Sequence, residues 1–381
     1  MVAAPAPAGE EAGPAGGTRR TKLPQTLEGF FYGVVQTHDG RRSTSSDEPL
    51  CDCLTEDDFV SVESDEAGNS YWFVNLLGRV VPLIDSSFSF LRKQPRIGTI
   101  TLIDSCNGLL LFGHIRNSYV FDTPAYIVCN PATEHWVNVP SSGFTSRALE
   151  INLHEDSDDD AWETRVDTYL IFDPVVSSHF QLIEFCHNLE AAALHTYSSE
   201  TGVWRDRSSE RKQWKKGGEW DLHKTITSMR GTTVVDNMLH LIVSPSRSGP
   251  ELIAMIDGKG KTRRTICWLE NRGFPVFLGQ SKGLLYCMSV NGSPDGNSCH
   301  MTELSIWVLE DYGVETWKLK HTVRFSEPFG KMNYQFATDY NVVTIHPDRD
   351  LVFFVQHWDY KLISYDMDRR EVCVLSNVGC D

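Results

Sequence analysis

The chain has 381 residues, of which 41% are hydrophobic and 11% aromatic, so it can bury a large core. Its formal net charge of −16 argues against a general phosphate-binding surface, because such binding depends on clustered Lys and Arg. Composition and charge therefore favour a folded protein that does not bind nucleic acid.

No targeting or membrane segment is predicted. The opening residues, MVAAPAPAGEEAGPAGG, have no apolar signal-peptide region, and no run of about 18 apolar residues follows. Most of the ten cysteines lie in apolar strand patterns and are expected to be small buried hydrophobes: Cys129, Cys186, Cys267, Cys287 and Cys373. We therefore expect reduced thiols and a cytoplasmic or nuclear location, with no membrane contact.

The first 22 residues are rich in Ala, Pro and Gly and are predicted to be a disordered tail. Ordered sequence is expected over 23–378, interrupted by a polar loop at 38–49. The acidic run at 155–160 is interpreted as a solvated loop. A calcium loop would need ligands at alternating positions around a glycine turn, and this run has neither.

From about Phe59 onward the chain consists of short apolar segments of four to eight residues separated by Gly, Pro, Asn, Asp or Ser. Helical periodicity is weak nearly everywhere, and 221–229 is the one modest candidate for a helix. The sequence predicts an all-β protein.

A strand, a polar turn and a tryptophan-bearing strand recur along the chain. The copies end at Trp136, Trp204 and Trp317, with Cys373 in place of Trp in a fourth, and looser copies end at Trp268 and lie around Val81. A second element, a polar turn leading into an aliphatic strand, precedes several copies. Spacings of about 50 to 70 residues predict a β-propeller of four-stranded blades, six in number, with seven less favoured. A pair of β-sandwiches is the rival fold, but it gives no reason for the recurring turn and Trp.

Structural roles are expected for the residues of the first copy. Trp136 follows a tight turn, where a large flat ring can fill the space between neighbouring blades. Pro131 fixes its own φ, Asn130 can bond to nearby backbone amides, and Gly108 allows a positive φ. Cys106 and Asn107 belong to the same set of structural positions.

No catalytic, cofactor or metal site is predicted. Gly279-Gln-Ser281-Lys-Gly283 matches the pattern of a hydrolase nucleophile elbow, but a strand-like segment follows it where that elbow needs a helix. Cys51 and Cys53 have no second pair at zinc spacing, and the adjacent Cys299 and His300 could not easily serve one tetrahedral centre. We therefore expect the protein not to be an enzyme.

One basic, aromatic segment, 204–220, stands out in this acidic chain. Three interpretations are open for it: a solvated loop, a loop that contacts a partner, or a nucleic-acid contact, the last opposed by the net charge. The residues of the possible partner contact are Arg211, Lys212, Trp214, Lys215 and Lys216.

Two motifs in order resemble the associated domain that follows the F-box in plant F-box proteins, of the grass type. The first is Ser105-Cys-Asn-Gly-Leu-Leu110, and the second is Val128-Cys-Asn-Pro-Ala-Thr-Glu-His-Trp-Val-Asn-Val-Pro140. The segment 23–32 is similar to the join between F-box and propeller, and the resemblance spans roughly 22–378.

This resemblance implies a substrate-recognition domain of an SCF ubiquitin ligase, with an unknown protein as its substrate. The helical F-box would precede Leu23, where the sequence shows no such module, so docking to a Skp-type adaptor is expected only if an F-box is supplied elsewhere. The alternative is a truncated or decoy propeller that binds a partner without recruiting the ligase. An enzyme that uses a propeller cavity is the least favoured hypothesis.

Overall fold

The computed structural model describes residues 29–34, 70–75, 85, 88–95, 97, 99–115, 125–143, 165–187, 192–207, 231–243, 251–291, 303–325, 340–356 and 361–377. The predicted tail, the polar loop, the acidic run and the helix candidate all lie outside these residues. None of the helices in the described part of the chain is long and apolar enough to cross a membrane.

The described strands form one two-stranded sheet and five four-stranded antiparallel sheets. Strands β1 (Gly29–Val34) and β2 (Ser70–Asn75) pair with each other, and the short helix α1 (Ser89–Arg92) follows. Each four-stranded sheet is a meander of consecutive strands, as expected for a propeller blade.

The blades take their strands in chain order. Blade 1 contains β3 (Thr99–Cys106), β4 (Leu109–Ile115), β5 (Ala125–Asn130) and β6 (His135–Val139). Blade 2 contains β7 (Arg165–Ile171), β8 (Gln181–His187), β9 (Ala192–Ser198) and β10 (Val203–Asp206). Blade 3 contains β11 (Thr233–Val235), β12 (Met238–Val243), β13 (Leu252–Asp257) and β14 (Thr262–Cys267). Blade 4 contains β15 (Phe274–Ser281), β16 (Leu284–Val290), β17 (Glu303–Asp311) and β18 (Thr316–Arg324), and a 3₁₀ helix (Glu270–Arg272) precedes it. Blade 5 contains β19 (Tyr340–Ile345), β20 (Leu351–Gln356), β21 (Lys361–Asp366) and β22 (Glu371–Asn377).

The predicted count of six blades is wrong: the described residues form five. The copy expected around Val81 begins with β2, whose strand partner among the described residues is β1, and Val81 itself lies outside those residues. In place of a preceding blade, the segment around α1 packs against blade 1, with Phe88 and Leu91 fully buried there beside Phe112. That segment covers the blade face that a preceding four-stranded sheet would otherwise cover.

The core lies between successive blades, and this explains why the strands read as continuous apolar runs. In β7, Leu170 packs towards blade 1 while Tyr169 packs towards blade 3. Side chains alternate between the two faces of a strand, so a blade that is covered on both faces needs apolar residues at successive positions. The inner strands β3 and β7 contact each other, as do β11 and β15, and β15 and β19.

Three tryptophans occupy equivalent places in their blades. Trp136, Trp204 and Trp317 each lie six residues after the last residue of the preceding strand, and each packs on the side of its blade that faces the N-terminal neighbour. The assignment of Trp268 and Cys373 as counterparts is wrong. Trp268 comes after β14, beyond the end of the strand, and Cys373 is exposed.

Burial differs among the cysteines. Cys129 and Cys287 are buried, and burial raises the pKa of Cys129 to about 12 and that of Cys287 well above its ordinary value. Cys267 and Cys373 are exposed, so the expectation that they are buried is wrong. Both lie on the outermost strand of a blade, one face of which is open to solvent over part of its length.

The meander topology gives every blade two different ends. Successive antiparallel strands are joined alternately at opposite ends of a sheet. We call the end that joins the first strand to the second, and the third to the fourth, the turn end. The opposite end, which joins the second strand to the third and one blade to the next, is the loop end.

Candidate interaction surface

Most connections at the turn end are short. Each of the five connections between the third and fourth strand of a blade has four residues: 131–134, 199–202, 258–261, 312–315 and 367–370. Three of the connections between the first and second strands have only two residues, 107–108, 236–237 and 282–283, and the other two have nine (172–180) and five (346–350). A connection of two to four residues closes a hairpin and leaves little that can vary.

A polar side chain at the end of the third strand fixes four of these turns. Asn130 accepts hydrogen bonds from the amides of Ala132 and Thr133 at 3.0 and 3.3 Å, and the carboxylates of three aspartates accept equivalent bonds. These residues are Asp257, Asp311 and Asp366. The side-chain oxygen accepts hydrogen bonds from turn amides that do not pair with a neighbouring strand. This explains why a polar residue recurs at the end of the third strand.

The loop end is long and variable. Connections within blades there run from four residues (188–191) to twelve (291–302), and those between blades run from six (268–273) to twenty-six (207–232). Because loops that vary on a fixed scaffold commonly carry recognition, this end is the candidate interaction surface.

The backbone of the connection between blades 3 and 4 is described throughout, and it places an arginine beside two aromatic rings whose centroids are 6.2 Å apart. The Arg272 guanidinium carbon lies 5.6 Å from the ring centroid of Trp268 and 5.7 Å from that of Trp307. Both distances are within the range of a cation–π interaction. We call these three residues the arginine clamp.

The local sequence explains how the clamp is held. The Trp268 indole donates to the carbonyl of Gly273 at 2.8 Å and packs edge-on against Trp317 at 5.1 Å between centroids. Trp307 donates to the hydroxyl of Ser289 at 3.0 Å, and that hydroxyl in turn donates to the carbonyl of Arg272. These contacts hold the two indole rings and the backbone of Arg272 and Gly273 in place without a bound partner.

Burial lowers the pKa of Arg272, although nearby Cys287 and Cys267 act in the opposite direction. The guanidinium stays charged at any physiological pH, since its ordinary pKa is above 12. The clamp is thus a permanent positive charge that is partly removed from water.

The sequence of this propeller matches that of a known protein family. A sequence profile of the family described as F-box protein At3g26010-like, beta-propeller, matches residues 81–379. The chain belongs to this family. No curated protein sequence matches it.

Solved structures resemble this F-box-family propeller only distantly. A chain of a nidogen–laminin complex has 10% identity and a TM-score of 0.36, covering 75% of this chain and 88% of its own. An α-L-arabinofuranosidase from Fusarium graminearum has 8% identity and a TM-score of 0.38, covering 72% and 78%. The Cps50 (Swd1) β-propeller domain of Myceliophthora thermophila has 10% identity and a TM-score of 0.34, covering 72% and 73%. We base no conclusion on similarities at this level.

The first family motif lies at the turn end, next to blade 2. Cys106 is buried, and both its thiol and the side-chain amide of Asn107 donate to the carbonyl of Phe172, the latter at 2.6 Å. Asn107 and Gly108 have φ values of 46° and 85°, as the two-residue turn requires.

The second family motif forms the four-residue turn of blade 1. Asn130 caps the turn as described, and Pro131 is buried. Trp136 packs against the core that covers the first face of the blade. The motif residues therefore hold blades together at or near the turn end, away from the candidate surface.

The predicted partner-contacting residues lie outside the described part of the chain. Arg211, Lys212, Trp214, Lys215 and Lys216 belong to the connection 207–232, which joins β10 to β11 at the loop end. Their assignment stays a prediction. The arginine clamp lies at this same end, and sequence reasoning missed it.

The sites considered for chemistry have structural partners where they are described. Ser281 is fully buried and donates to the carbonyl of His346 at 2.8 Å, which ties blade 4 to blade 5. Among the described residues no group of three or more His, Cys, Asp or Glu could hold a metal ion. Cys51, Cys53, Cys299 and His300 lie outside those residues.

Buried polar side chains also join blades 1 and 2, and no sequence motif indicated them. The Tyr126 hydroxyl donates to the carboxylate of Glu184 at 2.7 Å, and the Ser142 hydroxyl donates to its other oxygen. His195 lies opposite Glu184 in the register of β8 and β9, 3.5 Å from that carboxylate. These groups satisfy a buried acid, so the arrangement supports the interface.

Proposed function

We propose that this propeller is a non-enzymatic protein-interaction module and that its loop end binds a protein partner. The difference in connection length between the two ends of the blades supports this proposal. At the turn end, four residues join the third and fourth strands in all five blades and the other connections have two to nine residues, whereas the loop end has connections of four to twenty-six residues. A recognition surface needs such variation, and a structural hairpin does not.

Membership of the F-box family supports a more specific role. In that role the partner is a protein substrate presented for ubiquitination, and an F-box would bring in a Skp-type adaptor. A chain that binds its partner but no adaptor would instead act as a decoy scaffold. Co-purification of the full chain with a Skp-type adaptor distinguishes these two roles.

Charge reversal at each end tests which end binds. A partner is first identified by proximity labelling in cells and then purified. Changing Arg211, Lys212, Lys215 and Lys216 to Glu is expected to abolish its binding to the full chain, measured by calorimetry, because the positive charges at the loop end are lost.

The matched control places the same four changes at the turn end. Lys259, Lys261, Arg369 and Arg370 are exposed on two of the four-residue turns, and their replacement by Glu should leave the affinity within about twofold. Loss of binding in the control variant, with the loop-end variant unaffected, would assign the partner to the opposite end.

A further inference from the structure

Arg272 differs from its neighbouring arginines in having no acidic partner among the side chains that the structure describes. Arg263 bonds to Asp257 through its Nε at 2.6 Å, and Arg264 bonds to Glu315 at 3.0 Å. Among the described residues, no carboxylate forms an ion pair with Arg272, whose side chain contacts two tryptophan rings instead.

Ring contacts do not replace hydrogen bonds to the guanidinium, whose five N–H donors point outward along the edge of its plane. The planes of Trp268 and Trp307 are 89° apart, so the guanidinium can stack face to face on at most one of them. The Arg272 side chain is partly exposed, so a ligand can reach that edge from solvent. An arginine held in this way has already lost much of its rotational freedom, so less entropy is lost when it binds.

The surface beside the clamp is partly apolar. The Leu269 side chain is 47% exposed, one turn before Arg272, and Asn271 and Asn291 are exposed next to it. Glu303, which lies on the neighbouring strand of blade 4, accepts a hydrogen bond from Asn291 at 3.1 Å. Among the described side chains, a ligand there meets one cation, one apolar side chain, two amide groups and the Glu303 carboxylate, which Asn291 already bonds. The side chain of Glu270, between Leu269 and Asn271, lies outside the described residues.

We propose that Arg272 is the anchor for a carboxylate on the protein partner: an Asp or Glu with an apolar side chain beside it, which contacts Leu269. This inference rests on the proposed function and names the chemistry of its partner. Arg pairs with a carboxylate through two parallel hydrogen bonds, and arginine is enriched among the residues that dominate binding energy.

The net charge of the chain restricts the partner further. At −16 the molecule repels an acidic protein at long range. Binding must therefore depend on close contact at the clamp, and a generally acidic surface is not enough. A short segment with one well-placed carboxylate fits better than a polyacidic tract.

A displayed library of random twelve-residue peptides provides the probe. Peptides selected on the wild-type full chain are expected to share an Asp or Glu next to an apolar residue. Replacing that acid in a synthetic peptide by its amide should weaken binding to the wild-type chain at least tenfold. Against Arg272→Gln the same replacement should change affinity less than twofold, since the interaction is already lost.

Arg205→Gln is the matched control, because Arg205 is exposed on the outer strand of blade 2, away from the clamp. It should bind all peptides as the wild type does. Arg272→Lys keeps the charge but not the planar pair of donors, so we expect an affinity three- to tenfold below that of the wild type. Near-ultraviolet circular dichroism checks that each variant is folded.

A measurement on the wild type alone covers the case in which Arg272→Gln fails to fold. The Arg272 Nε–H signal in an NMR spectrum should shift when the acidic peptide is added, but not with its amide analogue. Selected peptides without a shared acid, or an unshifted signal, would overturn the inference. If the loop-end charge reversal still abolishes partner binding while Arg272→Gln does not, the proposed function stands and only the anchor is wrong.

Discussion

Gly273 shows how strongly a single backbone position can constrain the arginine clamp. Its φ is +76°, and a Cβ added there would lie 2.6 Å both from the carbonyl oxygen of Val290 and from Oδ1 of Asn291. The carbonyl of Gly273 also accepts the bond from Trp268. The positive φ and the clash of an added Cβ each require glycine at the position after Arg272.

Gly273→Ala is expected to lower the free energy of unfolding by about 3 kcal/mol, from strain at positive φ plus displacement of the β16 backbone. Gly108→Ala is the control, since Gly108 has φ +85° with nothing within 4 Å of an added Cβ. It should cost only about 1 kcal/mol. Urea denaturation measures both, and equal losses would show that the contact with Val290 is relaxed.

Residue roles were predictable only where they depend on nearby sequence. Gly108 and Asn130 were recognised because a turn is made by residues a few positions apart. The clamp was not, because Trp307 lies 35 positions after Arg272 and reaches it only when the strands of blade 4 pair with one another. The residues around Arg272 do not indicate that its charge has no carboxylate partner among the side chains that the structure describes.

At the scale of the hairpin, an aspartate at the end of the third strand recurs and accepts hydrogen bonds from the amides of the turn. Asp366 accepts bonds from the amides of Asp368 and Arg369, both at 2.9 Å. Asn130 does the same in blade 1 with an uncharged amide. The geometry of the acceptor therefore matters more than its charge.

Asp366→Ala should destabilise the protein by about 1 to 2 kcal/mol, since two backbone donors lose their acceptor. Asp366→Asn should stay within about 0.5 kcal/mol of the wild type. Asp368→Ala serves as the control, because Asp368 lies two positions after Asp366 and its carboxylate is exposed. Thermal unfolding compares the three. An Asp366→Asn variant as unstable as Asp366→Ala would mean that charge, not geometry, holds the turn.

The elements themselves were largely foreseen, but their number was not. Alternating apolar strands and turns predicted an all-β propeller, because each hairpin carries its own turn residues. Trp268 was misassigned because a polar turn also precedes it, but it lies eleven positions after Asp257, the last residue of the preceding strand, whereas Trp204 lies six positions after Ser198. A strand pattern around Val81 could not reveal that the chain would pack α1 against blade 1 instead.

Across the whole molecule, stability depends on packing between blades, and some of that packing buries titratable groups. His240 is fully buried between blades 3 and 4, with Nδ1 3.0 Å from the carbonyl of Met238 and Nε2 3.5 Å from the Tyr312 hydroxyl. Burial lowers the pKa of His240 to about 4, and hydrogen bonds to Met238 and Thr233 only partly offset this.

Acid should therefore weaken the wild-type fold through His240. The unfolded chain takes up a proton at pH 6.5 and the folded chain only near 4, so stability falls as pH drops through that window, by up to about 3 kcal/mol. The free energy of unfolding of His240→Gln should not show this fall between pH 6.5 and 4. Guanidinium denaturation of both proteins at several pH values measures the difference.

Only the difference between the two proteins is informative, because Asp104 acts in the opposite direction. Burial raises the pKa of Asp104 to about 6, although bonds from the Leu170 and Ser105 amides lower it somewhat. Its contribution to stability therefore falls as pH rises from about 4 to 6. If the stability curves of wild type and His240→Gln run parallel between pH 6.5 and 4, His240 titrates normally.

The repeated four-residue turns also decide how the protein can be held in an experiment. A cysteine placed at Lys259 or Arg369 projects from the turn end, on a scaffold whose geometry is the same in every blade. Once the native reactive cysteines, among them the exposed Cys267 and Cys373, are replaced, coupling through such a position would orient all molecules alike on a sensor surface, with the variable connections facing the solution. The same protein coupled through 268–273 would present its uniform hairpins and conceal the arginine clamp.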